Sequence, residues 1–124
     1  MRKYLLHVLI ISVVFLLAPT AQVVSYAGAI EDAKEEVRKN PDDAMAHFKL
    51  GVAYGESGKY EEAIESHKQA IRIDPDDATA HYGLGVTYII LRDKSSALKQ
   101  HKILKKLDTK MAKELLGMIY TELD

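Results

Sequence analysis

Two hydrophobic regimes divide the chain. From Leu5 to Ala18 apolar residues run for 14 positions, broken only by His7 and Ser12. Beyond residue 29 they return at steps of three and four, the spacing of one helix face. His47, Leu50, Gly51 and Tyr54 form one such face, and Ala63, His67, Ala70 and Ile71 another. Polar and turn-forming residues punctuate these runs. Pro41-Asp42-Asp43 opens the first, with Asp as a helix N-cap and acidic charge at the positive helix end. Gly58 closes it, and Asp74-Pro75 ends the second, because a residue preceding proline avoids the helical region.

The pattern repeats. With Pro41–Asp74 written above Pro75–Asp108, 14 of 34 columns match, including Pro-Asp-Asp-Ala, Leu50/Leu84, Gly51/Gly85, Tyr54/Tyr88, Ala63/Ala97 and His67/His101. A fixed period of this length is the mark of a stacked repeat architecture. Each unit reads as two antiparallel helices, with Gly51 and Ala63 small where the helices approach closely.

Leu50-Gly51-x-x-Tyr54, Gly58, Ala63, Ala70 and Pro75 stand at the spacings of the tetratricopeptide repeat signature, which the chain resembles. The second unit keeps Leu84-Gly85-x-x-Tyr88 and Ala97 but departs at Arg92, Leu104 and Thr109, where the family favours Gly, a small residue and Pro. His47 and His81 stand where the family usually has Trp, and His67 and His101 where it favours Phe or Tyr. The resemblance implies an all-α fold, a short right-handed α-solenoid of antiparallel helix pairs. The expected organisation is a signal peptide over 1–27, a flanking helix over 28–40 and repeats over 41–74 and 75–108. A C-terminal helix of an incomplete repeat follows over 109–124, where Leu116-Gly117-x-x-Tyr120 reads as the opening of a third unit. Two units with a flanking helix at each end narrowly meet the number of repeats a stable stack needs.

The N-terminal regime is an export signal in outline: basic Arg2 and Lys3, the apolar run, then Pro19 and small residues at Ser25-Tyr26-Ala27 and Ala27-Gly28-Ala29. Cleavage after Ala27 is favoured, with Ala29 second, which places the mature protein in the periplasm or outside the cell. A retained anchor is the alternative, because Val23 and Val24 extend the apolar run past Pro19; only then is a membrane involved. With no Cys in the chain, disulfides, thiolate metal sites and a lipid-modified N-terminus are excluded.

Net charge is −1 over 124 residues, and removal of residues 1–27 leaves 15 basic against 18 acidic. No basic excess marks a nucleic-acid partner. There is no Gly-rich phosphate loop, nucleophile elbow or paired-carboxylate constellation, so no enzymatic activity and no cofactor are expected.

In tetratricopeptide arrays the first helices of the units line a concave groove that holds a peptide or helix. By resemblance, the stripe facing that groove contains Met45, Phe48 and Val52, then Tyr82, Val86 and Ile89. The stripe is apolar and lacks the Asn and Lys of family members that clamp a terminal carboxylate. A protein or peptide partner with apolar anchors fits it. The competing reading packs the same residues between neighbouring first helices. On the last helix, apolar residues spread over about 200°, wider than a surface helix needs. Met118, Tyr120 and Leu123 are therefore an expected assembly edge for a homo-oligomer or a docked subunit. The four His of the two units, 47, 67, 81 and 101, invite a metal or pH-sensing role. A packing role, each ring finding one hydrogen-bond partner, is the simpler reading; no His pair has zinc-ligand spacing, and no metal is expected.

Overall fold

The computed structural model describes residues 22–123. Among these residues there are six helices and no strand. α1 spans residues 22–39, followed by α2 (Ala44–Glu56), α3 (Tyr60–Ile73), α4 (Ala78–Ile90), α5 (Lys94–Leu107) and α6 (Thr109–Leu123). The expected all-α solenoid of helix pairs is the observed fold. Residues 1–21, the bulk of the expected signal peptide, lie outside the described residues. α1 is helical from residue 22 through Ala27 and on to residue 39.

Local chemistry sets the helix ends. Asp43 and Asp77 cap α2 and α4, each accepting at 2.9 Å from the amide two residues on, Met45 and Thr79. Asp108 does the same for α6, accepting from Lys110 at 2.9 Å and Met111 at 3.0 Å. Asp93 caps α5 through the Ser96 amide. α3 begins at Lys59 without a side-chain cap, and Glu61 and Glu62 in its first turn supply favourable charge instead.

The α2–α3 and α4–α5 turns are built alike. In the first, the Gly58 amide donates to Gly55 O and the Lys59 amide to Tyr54 O. In the second, Arg92 donates to Ile89 O and Asp93 to Tyr88 O. These are Schellman-type closures, which require a left-handed residue after the helix. Gly58 provides it at φ 80°; Arg92 is forced to it at φ 59°. A left-handed non-Gly residue costs roughly 1–2 kcal/mol. The Arg92 side chain partly offsets this by donating to Glu122 O at 3.0 Å, satisfying a carbonyl near the end of α6.

Two apolar clusters hold the stack. Ile30 and Ala33 of α1 pack on Leu50 and Ala53 of α2. The larger cluster joins Ile89, Ala97, Leu104, Ala112, Leu115 and Ile119 across α4, α5 and α6. Leu104, Leu115 and Ile119 are fully buried, each contributing about 1.5–3 kcal/mol by removal from water. Close approach between helices is made at glycine. A Cβ on Gly51 would lie 2.6 Å from the His67 ring, and one on Gly85 would lie 2.7 Å from Leu115 Cδ2.

The Leu116-Gly117-x-x-Tyr120 stretch does not pack as the opening of a third unit. A Cβ on Gly117 would meet nothing within 4 Å, and Tyr120 is exposed. The core face of α6 is Ala112, Leu115 and Ile119. The cause lies in the connection. Four residues, Asp74 to Asp77, join α3 to α4, whereas Asp108 alone joins α5 to α6. The Asp caps at 43, 77 and 108 are therefore 34 and then 31 residues apart. The helix is advanced by three residues relative to the period.

Candidate functional site

The six residues expected to face a partner do not line one continuous trough. Met45 and Val52 are exposed, at 45% and 38% of their surface. Phe48 is half-buried, its ring 5.4 Å from that of His67. Phe48 and Val52 line a cleft of about 390 Å³ between α1 and α2, together with Ala29, Ala33 and the rim residues Asp32 and Glu56. Lys49 on the same rim pairs with Glu36 at 2.7 Å.

Tyr82 and Val86 are half-buried and pack against the larger core. Burial, and then the Glu114 carboxylate, push the Tyr82 phenol above its ordinary value. Ile89 corrects the sequence reading: only 7% exposed, it is a core residue beneath α6, with Leu104 and Leu115 in the same cluster. The one-residue α5–α6 connection brings α6 over it. A second cleft of about 300 Å³ remains between α4 and α6, lined by Val86, Ile89, Ile90, Met118, Arg92 and Glu122.

The expected assembly edge is mostly spent on packing. Met118 and Leu123 are half-buried against the α4–α6 core. Tyr120 is 54% exposed, and the Lys94 ammonium lies 5.1 Å from its ring centroid, a cation–π contact. Leu116 is half-buried, and Lys110, Lys113 and Gly117 are exposed beside it.

A further cleft, of about 440 Å³, falls where no site was expected. Val37, Leu50 and Tyr54 are its apolar lining, with His47 and the carboxylates of Glu61, Glu62 and Glu65 around them. Glu61, Glu65 and Gln69 recur at steps of four, a spacing visible in the sequence.

The histidines fall into two structural roles. His47 and His81 each donate from Nε2 to the carbonyl of the proline opening their own unit, Pro41 and Pro75, at 2.8 Å. The other ring nitrogen of His81, Nδ1, lies 2.8 Å from Gln100 Oε1 on α5. His101 donates to Ala112 O at 2.9 Å, tying α5 to α6. His67 breaks the expectation of one partner per ring. It is 2% exposed, and its Nδ1 is buried without a hydrogen-bond partner. Burial holds this imidazole down at about 4, so it is neutral at physiological pH. Among the described residues no three His, Asp or Glu gather as a metal site. No helix among them is long and apolar enough to cross a membrane.

Comparison with known proteins agrees with the repeat reading. Two family models match, one described as TPR repeat over residues 55–89 and one as tetratricopeptide repeat over residues 33–65. No curated protein matches the chain. Among solved structures, the TPR2B domain of yeast Sti1, solved in a complex with pHsp70, superposes with a TM-score of 0.72 at 22% identity. The match covers 78% of this chain and 82% of that one. Residues 33–65 and 55–89 therefore match the tetratricopeptide repeat, and the chain shares the fold of such a domain.

Proposed function

We propose that this protein is a non-enzymatic interaction module that holds an apolar segment of a partner protein along an apolar stripe that is exposed on α2 and half-buried on α4. The observation that carries the reading is the pair Met45 and Val52, large apolar side chains left in solvent on a helix whose other faces are packed. Phe48, Tyr82 and Val86 continue the stripe as half-buried side chains. Apolar anchors set into such a surface provide most of the affinity of a helix-in-groove or extended-segment complex. The TPR2B domain, whose solved complex contains pHsp70, is a precedent in the same fold. The N-terminal segment favours an exported protein of the envelope or secreted space, in which a mature chain starts at Gly28 or Ile30.

Selection of binding peptides from a display library tests the assignment. Met45→Glu with Val52→Glu should weaken a selected peptide at least about tenfold without changing thermal unfolding. Lys68→Glu with Arg72→Glu on α3 should leave binding unchanged. Equal effects of the two pairs would place the binding surface elsewhere. Mass spectrometry of the N-terminus tests export separately.

A further inference from the structure

Among the described residues, α1 stands as the second helix of a pair with no first helix beside it, and α6 as a first helix with no second. The register of each is fixed by its hydrogen bonds. The Asn40 amide donates to Glu36 O and the Asp43 amide to Asn40 O; the Asp74 amide donates to Ala70 O and the Asp77 amide to Asp74 O. α1 thus matches α3 at an offset of 34, with Ala29 and Ala33 in the places of Ala63 and His67. In the complete pair, α2 lies over those places, Gly51 against His67. On α1 no helix of the described residues occupies the corresponding side, and the cleft of about 390 Å³ stands there. At the other end, Asp108 caps α6 as Asp43 caps α2. This register puts Lys113, Leu116 and Gly117 in the places of Phe48, Gly51 and Val52.

We propose that α6 of a second copy packs into the cleft between α1 and α2, so that α6 of one molecule and α1 of the next complete a helix pair in trans. This rests on the reading of Phe48 and Val52 as partner-facing and names the occupant at that end of the stripe.

Two observations select the second copy. The first is volume. Within the chain the small member of the contact is Gly51 and the large one His67; across the junction Leu116 is large and Ala33 small, again one large side chain against one small, with the members exchanged. Gly117, exposed and with open space around it, lets a second backbone come close. The second is charge. Residues 22–56 carry seven acidic against four basic residues, and residues 94–123 carry seven basic against three acidic. Lys110 and Lys113 flank the free side of α6, and Asp32 and Glu56 rim the cleft. The two ends of the molecule therefore attract each other and not themselves. Because cleft and helix are different surfaces, the contact is heterologous, and each added molecule leaves one of each free. Growth continues until a ring closes.

Light scattering on the purified protein, from micromolar to about 1 mM, tests the proposal with two exposed-site variants. Val52→Glu disables the cleft; Lys113→Glu with Gly117→Glu disables the helix. Wild type should grow beyond a dimer with concentration and dissociate with salt. Each variant alone should be monomeric, its self-association weakened at least about tenfold. Their equal mixture should form a one-to-one pair and nothing larger, since one intact cleft meets one intact helix. A mixture that stays monomeric while wild type dimerises would indicate a symmetric contact and overturn the proposal. Wild type that stays monomeric but binds peptides through Met45 and Val52 would overturn the second copy as occupant and leave the proposed function standing.

Discussion

A methyl group on Gly51 would lie 2.6 Å from Cε1 of His67, closer than van der Waals contact allows. The ring itself is trapped, with Phe48 on one side and Gly83, whose Cβ would lie 2.9 Å from the same atom, on another. Gly51→Ala should therefore destabilise by about 1–2 kcal/mol, an overpacking cost of roughly 1–3 kcal/mol less up to ~1 kcal/mol of helix propensity. Gly117→Ala, in open space on α6, should stabilise by about 0.5–1 kcal/mol. Urea unfolding of the two variants measures both, and equal effects would refute the close contact.

Acid should weaken the fold through His67. Its folded value of about 4 lies below the ordinary 6.5. As pH falls between these values, the unfolded chain takes up a proton that the folded one refuses, and stability declines. The full difference is about 3 kcal/mol, most of it lost by pH 4.5. The comparison of wild type with His67→Leu isolates this contribution from that of the carboxylates: the variant should lose less stability between pH 7 and 4.5. Parallel losses would show that the ring is not responsible.

Arg92 separates backbone strain from side-chain bonding. Arg92→Ala keeps the left-handed backbone and removes the bond to Glu122 O, a loss of about 0.5–1.5 kcal/mol. Arg92→Gly removes the same bond but relieves the strain, and should be more stable than the Ala variant by about 1 kcal/mol. Gly58→Ala, at φ 80°, should cost about as much as the Arg92 relief returns. Chemical denaturation of the three proteins checks the set.

The packed and free faces of α6 differ in what truncation does. Leu115→Ala should cost about 2–5 kcal/mol, because the side chain is fully buried in the core. Tyr120→Ala should cost about 1 kcal/mol or less, the scale of an exposed cation–π contact. Thermal unfolding distinguishes them at once.

Much of this was legible in the sequence. The period, the Asp caps at 43 and 77, and the close approaches at Gly51 and Ala63 all depend on local chemistry that repeats every unit. What was not legible depends on which neighbour covers a residue. Ile89 reads as the counterpart of Gly55 on a free stripe, and only the position of α6 makes it core. The Leu-Gly-x-x-Tyr spacing at 116–120 matches a signature, yet the residues that seat that signature elsewhere are absent around it. Asp108 carried the signal: the period aligns it with Asp74, a helix end, and nothing in the repeat shows that it also starts the next helix. Arg92 shows the converse. The turn imposed its backbone on a residue that does not favour it, so the missing glycine did not mean a missing turn.

The single-residue junction at Asp108 also governs any attempt to lengthen the molecule. A designer splicing a consensus unit behind Leu123 by the 34-residue count would seat its helices three positions out of phase with α6, pointing apolar side chains away from the stack. The graft has to be counted from Asp108, or three residues have to be inserted ahead of it, which would turn α6 itself and unseat Ile119.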